Sequence, residues 1–173
     1  MTDLKQYHLR PWLHSDAASA AEYATFNVCK YMSDAFPGGD QSKWKDFIEF
    51  ANSNPSAFYR TIVVDGYAVG GIGVLIQSDI MRLNAELGYW IGEPFRGRGI
   101  MTEAVKEMVT LVFDTFEVNR IYATPFECNF ASQRVLEKAG FTLEALLEKV
   151  AIKNGVLIDE LIYAIRRKKS LKQ

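Results

Sequence analysis

Ala85-Glu86-Leu87-Gly88-Tyr89-Trp90-Ile91-Gly92-Glu93-Pro94-Phe95-Arg96-Gly97-Arg98-Gly99-Ile100-Met101-Thr102-Glu103-Ala104 is the stretch on which the fold turns. From Asn84 to Ile91 the chain alternates Leu87, Tyr89 and Ile91 with Glu86, Gly88 and Trp90, the period-two pattern of a strand, and the first three read as its core face. After Ile100 the period changes. Met101, Ala104, Val105, Met108, Val109, Val112 and Phe116 form one continuous apolar stripe, a helix that needs a sheet to cover. Between strand and helix lie Gly92 to Ile100, where glycines let the backbone curl, unpaired N–H groups point inward and the helix dipole favours negative charge. Phosphates suit such a place. An ordinary strand-to-helix loop also uses glycine for tight turning, so the loop by itself names no ligand.

Working outward toward the N-terminus, Tyr59 to Val64 and Tyr67 to Ile76 are β-branched and aromatic runs joined by Asp65-Gly66, a pair that supplies the positive φ of a type I′ hairpin turn. Ser42 to Asn52 places Trp44, Phe47, Ile48 and Ala51 on one helical face, and Asn54-Pro55 stops it. Phe36-Pro37-Gly38-Gly39 closes an earlier helical region, Ala17 to Thr25, for which Ser15-Asp16 offers an N-cap. Leu4 to Trp12 reads as a first strand. Toward the C-terminus, Arg120 to Thr124 is a strand, Asn129 to Ala139 a helix ended by Gly140, and Phe141 onward a strand again. Asn154-Gly155 turns a last hairpin, whose second strand, Val156 to Ile165, is apolar on both parities except at Asp159 and Glu160 and so reads as covered on two sides. Strands and helices interleave throughout. The expectation is α/β, with a mixed, mostly antiparallel central sheet flanked by helices, in one domain over residues 1–173.

Length and composition agree, because 173 residues with 49% hydrophobic and 13% aromatic side chains can bury one substantial core but hardly two. Lys and Arg number 20 against 21 Asp and Glu, which leaves no overall field to gather nucleic acid or an anionic membrane. Neither partner is expected. Cys29 and Cys128 are too few for a disulfide framework and lack the spacing of a zinc or redox motif, so both read as reduced thiols and no metal is expected. Met1, Thr2 and Asp3 open no basic apolar leader, and no run of about 18 apolar residues follows, so the expected compartment is the cytoplasm.

Two phosphate loops fail against the central stretch. Gly92 to Gly97 has Walker A glycine spacing, but Arg98 and Gly99 replace the Lys and the Ser or Thr that the motif requires. Gly97, Gly99 and Thr102 match the dinucleotide G-x-G-x-x-G only in part, in mid-chain after antiparallel hairpins. A third pattern fits. Ala85 to Ile91 followed by Arg96-Gly97-Arg98-Gly99-Ile100-Met101-Thr102-Glu103-Ala104 resembles the coenzyme A loop of the GCN5-related N-acetyltransferase (GNAT) superfamily. Asn129-Phe130-Ala131-Ser132-Gln133-Arg134-Val135-Leu136-Glu137-Lys138-Ala139-Gly140-Phe141 resembles the downstream helix of that superfamily, especially in its branch of ribosomal-protein N-terminal acetyltransferases. The resemblance runs from Leu9 to Ile165, with the hairpins at Gly66 and Gly155 where the family places them. One position departs: the family loop usually ends in Gly or Ala where this chain has Met101.

The resemblance implies acetyl-coenzyme A as cosubstrate, an amine as acceptor, and a monomer or homodimer. It assigns the pyrophosphate to the backbone N–H groups of Arg96, Gly97, Arg98, Gly99, Ile100 and Met101 and to the Thr102 hydroxyl, with charge from Arg96 and Arg98, and the pantetheine to main-chain groups at Ile91 and to Asn129. Asn129 also suits a helix N-cap. Ser132 shares a helical face with Val135, Leu136 and Ala139 and so turns inward, where its hydroxyl either bonds a carbonyl of its own helix or, as the resemblance implies, donates a proton to the leaving thiolate. Glu86 is either a solvated strand residue or the base that takes the amine's proton. Tyr122 reads as packing, His8 and His14 as surface, and Arg166 to Lys172 as a solvated basic end. The acceptor, be it a protein N-terminus, a polyamine, an aminoglycoside or another small amine, would sit against Ala17 to Pro55. The rival reading is a catalytically silent coenzyme A-binding regulatory module.

Overall fold

The computed structural model describes residues 6–168. Its strands are β1 (His8–Arg10), β2 (Ala57–Val64), β3 (Tyr67–Ile76), β4 (Asn84–Ile91), β5 (Arg120–Ala123), β6 (Thr142–Lys153) and β7 (Val156–Arg166), and its helices α1 (Ala17–Tyr23), α2 (Phe26–Cys29), α3 (Gln41–Ser53), α4 (Ile100–Thr115) and α5 (Phe130–Lys138). The strands form one sheet in the order β1-β2-β3-β4-β5-β7-β6. All neighbours are antiparallel except β4 and β5. Among the described residues no helix is long and apolar enough to cross a membrane.

The two hairpin turns follow from their sequences: Asp65 and Gly66 have φ of 50° and 85°, Asn154 and Gly155 of 52° and 77°, the left-handed pairs that match strand twist. The apolar stripe of α4 buries Met101, Ala104, Val105, Met108 and Val112 against one face of the sheet, the back face, together with Leu136 of α5. On the front face α1 and α3 cover the end of the sheet near Trp90. There Trp12, Trp44 and Trp90 pack with ring centroids 5.2 to 5.5 Å apart, and Gly71 lies beneath them because a Cβ at that point would come within 2.8 Å of the Trp90 Nε1 and 2.9 Å of Trp12.

Several sequence expectations change. The strand expected over Leu4 to Trp12 is His8–Arg10, with Leu4 and Lys5 outside the described residues, as are residues 169–172 of the basic end. Asp16 does not cap α1, because its carboxylate accepts two bonds from the Arg10 guanidinium at 2.7 and 2.8 Å and a third from the Leu13 N–H at 2.8 Å, tying β1 to the start of the helix. The helix expected to run to Thr25 ends at Tyr23, and α2 begins anew after Thr25. Trp90, read as lying off the core face, is 7% exposed, since both faces of β4 are covered at that end. The strand expected to be covered on two sides, β7, is not: Val156 and Leu157 are exposed where the β6–β7 hairpin outruns the helices.

The feature that positions the site is a split in the sheet. β4 pairs with β5 only through Asn84, Ala85 and Glu86, whereas it stays on β3 up to Ile91, and the Gly92 N–H still reaches the Val69 carbonyl at 2.8 Å. N–H groups alternate between the edges of a strand, so the main-chain groups of Leu87, Tyr89 and Ile91 point the other way, into the gap left where β5 departs. Thr124-Pro125 ends β5, and the proline has no N–H to extend a ladder.

Candidate active site

The gap leads from the centre of the sheet to the N-terminus of α4. Gly97 and Gly99 hold φ of 75° and 76°, a left-handed conformation that costs other L-residues about 1–2 kcal/mol. The first intrahelical bond runs from the Glu103 N–H to the Gly99 carbonyl, and Gly99 offers no capping side chain, so the N–H groups of Ile100, Met101 and Thr102 remain for a ligand. A second contact fixes the loop: Glu93 accepts bonds from Thr25 Oγ1 at 2.6 Å and Asn27 Nδ2 at 2.8 Å. These bonds, Thr25 first, hold the Glu93 carboxyl below its ordinary value. Arg96 also reaches the Asn27 carbonyl at 3.4 Å.

A cavity of about 360 Å³ lies at the gap and reaches the front-face residues Val28 and Trp90 at its far end, and it gathers Ile91, Arg96, Gly97, Gly99, Ile100, Met101, Thr102, Asn129 and Ser132. Arg98 stands apart from that cavity; its guanidinium lies over the Phe95 ring at 5.4 Å and borders a neighbouring depression with Glu103 and Lys106. Met101, where the loop departs from the family pattern, is 7% exposed and packs into the core as well as bordering the cavity. Asn129 caps α5, its Oδ1 accepting the Ser132 N–H at 3.2 Å, which leaves its amide NH₂ free to donate. Arg134 and Lys138 also border the cavity; one turn apart on α5, they share a face toward the N-terminus of α4, a spacing visible in sequence but unassigned there. Val28, Tyr31 and Met32 close the far wall, out of the segment expected to serve the acceptor.

Ser132 does not bond back to its own helix. Its Oγ lies 2.7 Å from the Tyr89 hydroxyl, which is also 3.3 Å from the Ser132 carbonyl. Burial pushes Tyr89 well above its ordinary value, so it keeps its proton throughout the neutral range. Tyr89 lies on the face that the strand alternation assigns to the core, and there its hydroxyl meets Ser132.

Glu86 does not line this cavity; it stands on the front face of β4, four residues before Trp90, which does. There the Tyr122 hydroxyl donates to Glu86 Oε2 across 3.4 Å, so Tyr122, read as packing, faces the carboxylate. Burial, and then the negative charge of Glu86, raise both Tyr122 and Tyr59. Two residues along β4, Gly88 is exposed, and a Cβ built on it would meet nothing within 4 Å. The sheet is thus open to both faces at one point, with Ser132 and Tyr89 behind and Glu86 in front. His8 and His14 are exposed, Cys29 and Cys128 are free thiols, and among the described residues no cluster of three or more His, Cys, Asp and Glu side chains could hold a metal ion.

Known proteins resemble this chain in sequence and in fold. The probable N-acetyltransferase YjcK of Bacillus subtilis (strain 168) is 42% identical over 97 residues, 54% of this chain and 54% of that protein. The ribosomal-protein-serine acetyltransferase of Escherichia coli (strain K12) is 32% identical over 95 residues, covering 54% and 53%. The matched part spans about half the length of these curated relatives. Among solved structures, the Microcin C7 self immunity acetyltransferase MccE, in complex with acetyl-CoA and AMP, superposes with a TM-score of 0.82 at 28% identity over 94% of this chain and 93% of that one. The profile of the acetyltransferase (GNAT) domain matches residues 7–142, from the strand before α1 through the glycine loop and α5 to the first residue of β6. With the split sheet and the uncapped α4 in place, that match makes the chain a member of the GNAT acetyltransferase family.

Proposed function

We propose that this protein binds acetyl-coenzyme A in the gap between β4 and β5 and transfers its acetyl group directly to an amine. The observation that carries the reading is the unpaired edge of β4, which leads from the N–H groups of α4 to a point with Ser132 on one face and Glu86 on the other. The loop from Arg96 to Met101 and the Thr102 hydroxyl hold the pyrophosphate, with Arg134 and Lys138 adding positive charge at the mouth. The pantetheine amides pair with the main chain of Leu87 to Ile91 as an added strand would, and Asn129 bonds the same arm. An N–H on that edge near Ile91 stabilises the carbonyl oxygen of the thioester as it takes on charge. Glu86 accepts the proton of the incoming amine at the front and releases it to solvent, and Ser132, oriented by Tyr89, passes a proton to the departing thiolate behind and regains one from solvent. No covalent enzyme intermediate is needed.

Incubation of the protein with acetyl-coenzyme A and a panel of amines, namely a peptide with a free N-terminus, a polyamine, an aminoglycoside and an alkylamine, tests the reading by amine-dependent release of thiol. Binding of acetyl-coenzyme A with no release for any of them would make the protein a silent coenzyme A-binding module instead.

The back-face pair gives a sharper expectation. Ser132→Ala lowers kcat by roughly 10²-fold with little change in coenzyme A affinity, because its contribution belongs to the transition state. Tyr89→Phe, which keeps the ring and removes the hydroxyl that orients Ser132, lowers kcat in the same direction. Steady-state kinetics beside calorimetry separate the two quantities, and an unchanged kcat in Ser132→Ala would return that hydroxyl to packing.

A further inference from the structure

We propose that Glu160 makes the acceptor side selective for amines that carry a second positive charge, such as diamines; this rests on the acetyl-transfer reading above. The placement follows from strand register. Glu86 is opposite Tyr122, and Tyr122 is opposite Ala164, so all three side chains share the front face, as do the alternate residues of β7, Ile162 and Glu160. From Ala164 to Glu160 is about 13 Å at roughly 3.3 Å per residue, in the direction in which β4 and β5 diverge. Glu160 also bridges Phe126, where the chain leaves β5. By this register Ile162 stands across the gap from Gly88 and Glu160 two residues further on, at the level of Trp90; the missing side chain of Gly88 leaves open space between Glu86 and that point.

The charges on this face are unevenly matched. Arg120 is held by Glu144 at 2.7 Å and by Asn84 at 3.0 Å, Arg166 is paired with the same Glu144, and Lys153, at the hairpin tip, is held by Asp34 at 2.7 Å. Arg120, Arg166 and Lys153 are thus already engaged by carboxylates. Asp159 lies on the opposite face and accepts the Lys149 N–H at 2.7 Å. Glu86 accepts only the long bond from Tyr122, and the Glu160 carboxylate has no hydrogen-bond or ion-pair partner among the described residues. Burial first, and then repulsion from Glu86, raise Glu160 above its ordinary value.

The chemistry divides the two carboxylates. An amine that attacks a thioester must give up its proton, so at the moment of transfer it is neutral and offers nothing to a second anion. A second ammonium on the same molecule keeps its charge, and Glu160 is the anion placed to meet it, with the Tyr59 and Tyr122 rings beside the intervening alkyl chain. Glu86 would then act on whichever amine is to react, and Glu160 on the one that is not.

The test compares kcat/KM for linear monoamines and for diaminoalkanes of matched length, in wild type and in Glu160→Gln. The expected result is a wild-type preference for the diamine of roughly tenfold, expressed in KM, which falls toward unity in Glu160→Gln while kcat for the diamine is largely kept. Glu160→Lys should turn the preference toward the monoamine. Equal wild-type kcat/KM for the two amines, or a diamine preference that survives in Glu160→Gln, overturns the proposal and leaves acetyl transfer standing. No turnover of either amine overturns this proposal, whereas acetyl transfer itself falls only if the peptide and aminoglycoside of the wider panel also release no thiol.

Discussion

Gly99→Glu should weaken acetyl-coenzyme A binding by roughly 10³-fold in calorimetry. Two causes act together. Gly99 sits at φ 76° as the N-cap of α4, so any side chain there is strained, and a carboxylate would occupy the open space that faces the free N–H groups of Ile100 and Met101. A unit charge about 4 Å from a phosphate at an effective dielectric of about 20 is opposed by about 4 kcal/mol, and each 1.4 kcal/mol is a factor of about ten. Gly99→Ala separates the causes, since it carries the strain without the charge and should lose no more than about tenfold. A folded Gly99→Glu protein that binds as tightly as wild type would remove the loop from the ligand's path.

Glu86→Gln should lower turnover by roughly 10²- to 10³-fold near neutral pH and recover part of the loss at high pH. An alkylamine with a pKa of about 10 is almost wholly protonated at pH 7, and its free fraction grows about tenfold for each pH unit below that value. The sign is therefore fixed: a base that removes the proton matters most at low pH and least where free amine is abundant. Acetyl-coenzyme A binding should change little, because Glu86 is on the front face of β4 and outside the cavity that reaches the glycine loop. Turnover equal to wild type across the whole pH range would leave the proton to water or another group.

Much of this architecture is legible in the chain because certain residues permit little else. Asp65-Gly66 and Asn154-Gly155 supply consecutive positive φ values, and the α4 stripe can be satisfied only by a sheet. Local pattern misled where burial is set by distant elements. The alternation in β4 assigns one core face, yet Trp90 is buried on the other by Trp12 and Trp44, which come from elsewhere in the chain. Apolar residues on both faces of β7 imply double cover, but the hairpin projects past the helices and leaves Val156 and Leu157 exposed. The glycine loop and Asn129 could be read locally because they lie on consecutive residues beside helix starts. The Tyr89–Ser132 bond and the meeting of Glu86 with Tyr122 could not, since one joins residues 43 apart and the other 36 apart, through packing and strand register respectively. Glu160 could be placed across the gap only once β7 was known to lie beside β5.

In the proposed reaction an acetyl group passes through the split between β4 and β5, from a thioester on one side of the sheet to an amine on the other. The most direct test follows coenzyme A thiol and acetylated amine together, by colorimetric and mass-spectrometric readout of the same reaction with the wild-type protein and an amine that it turns over. One acetylated amine is expected for each thiol released, with no release above background when the amine is omitted. Thiol release that proceeds equally without amine, or release with no acetylated product, would rule out direct transfer across the split.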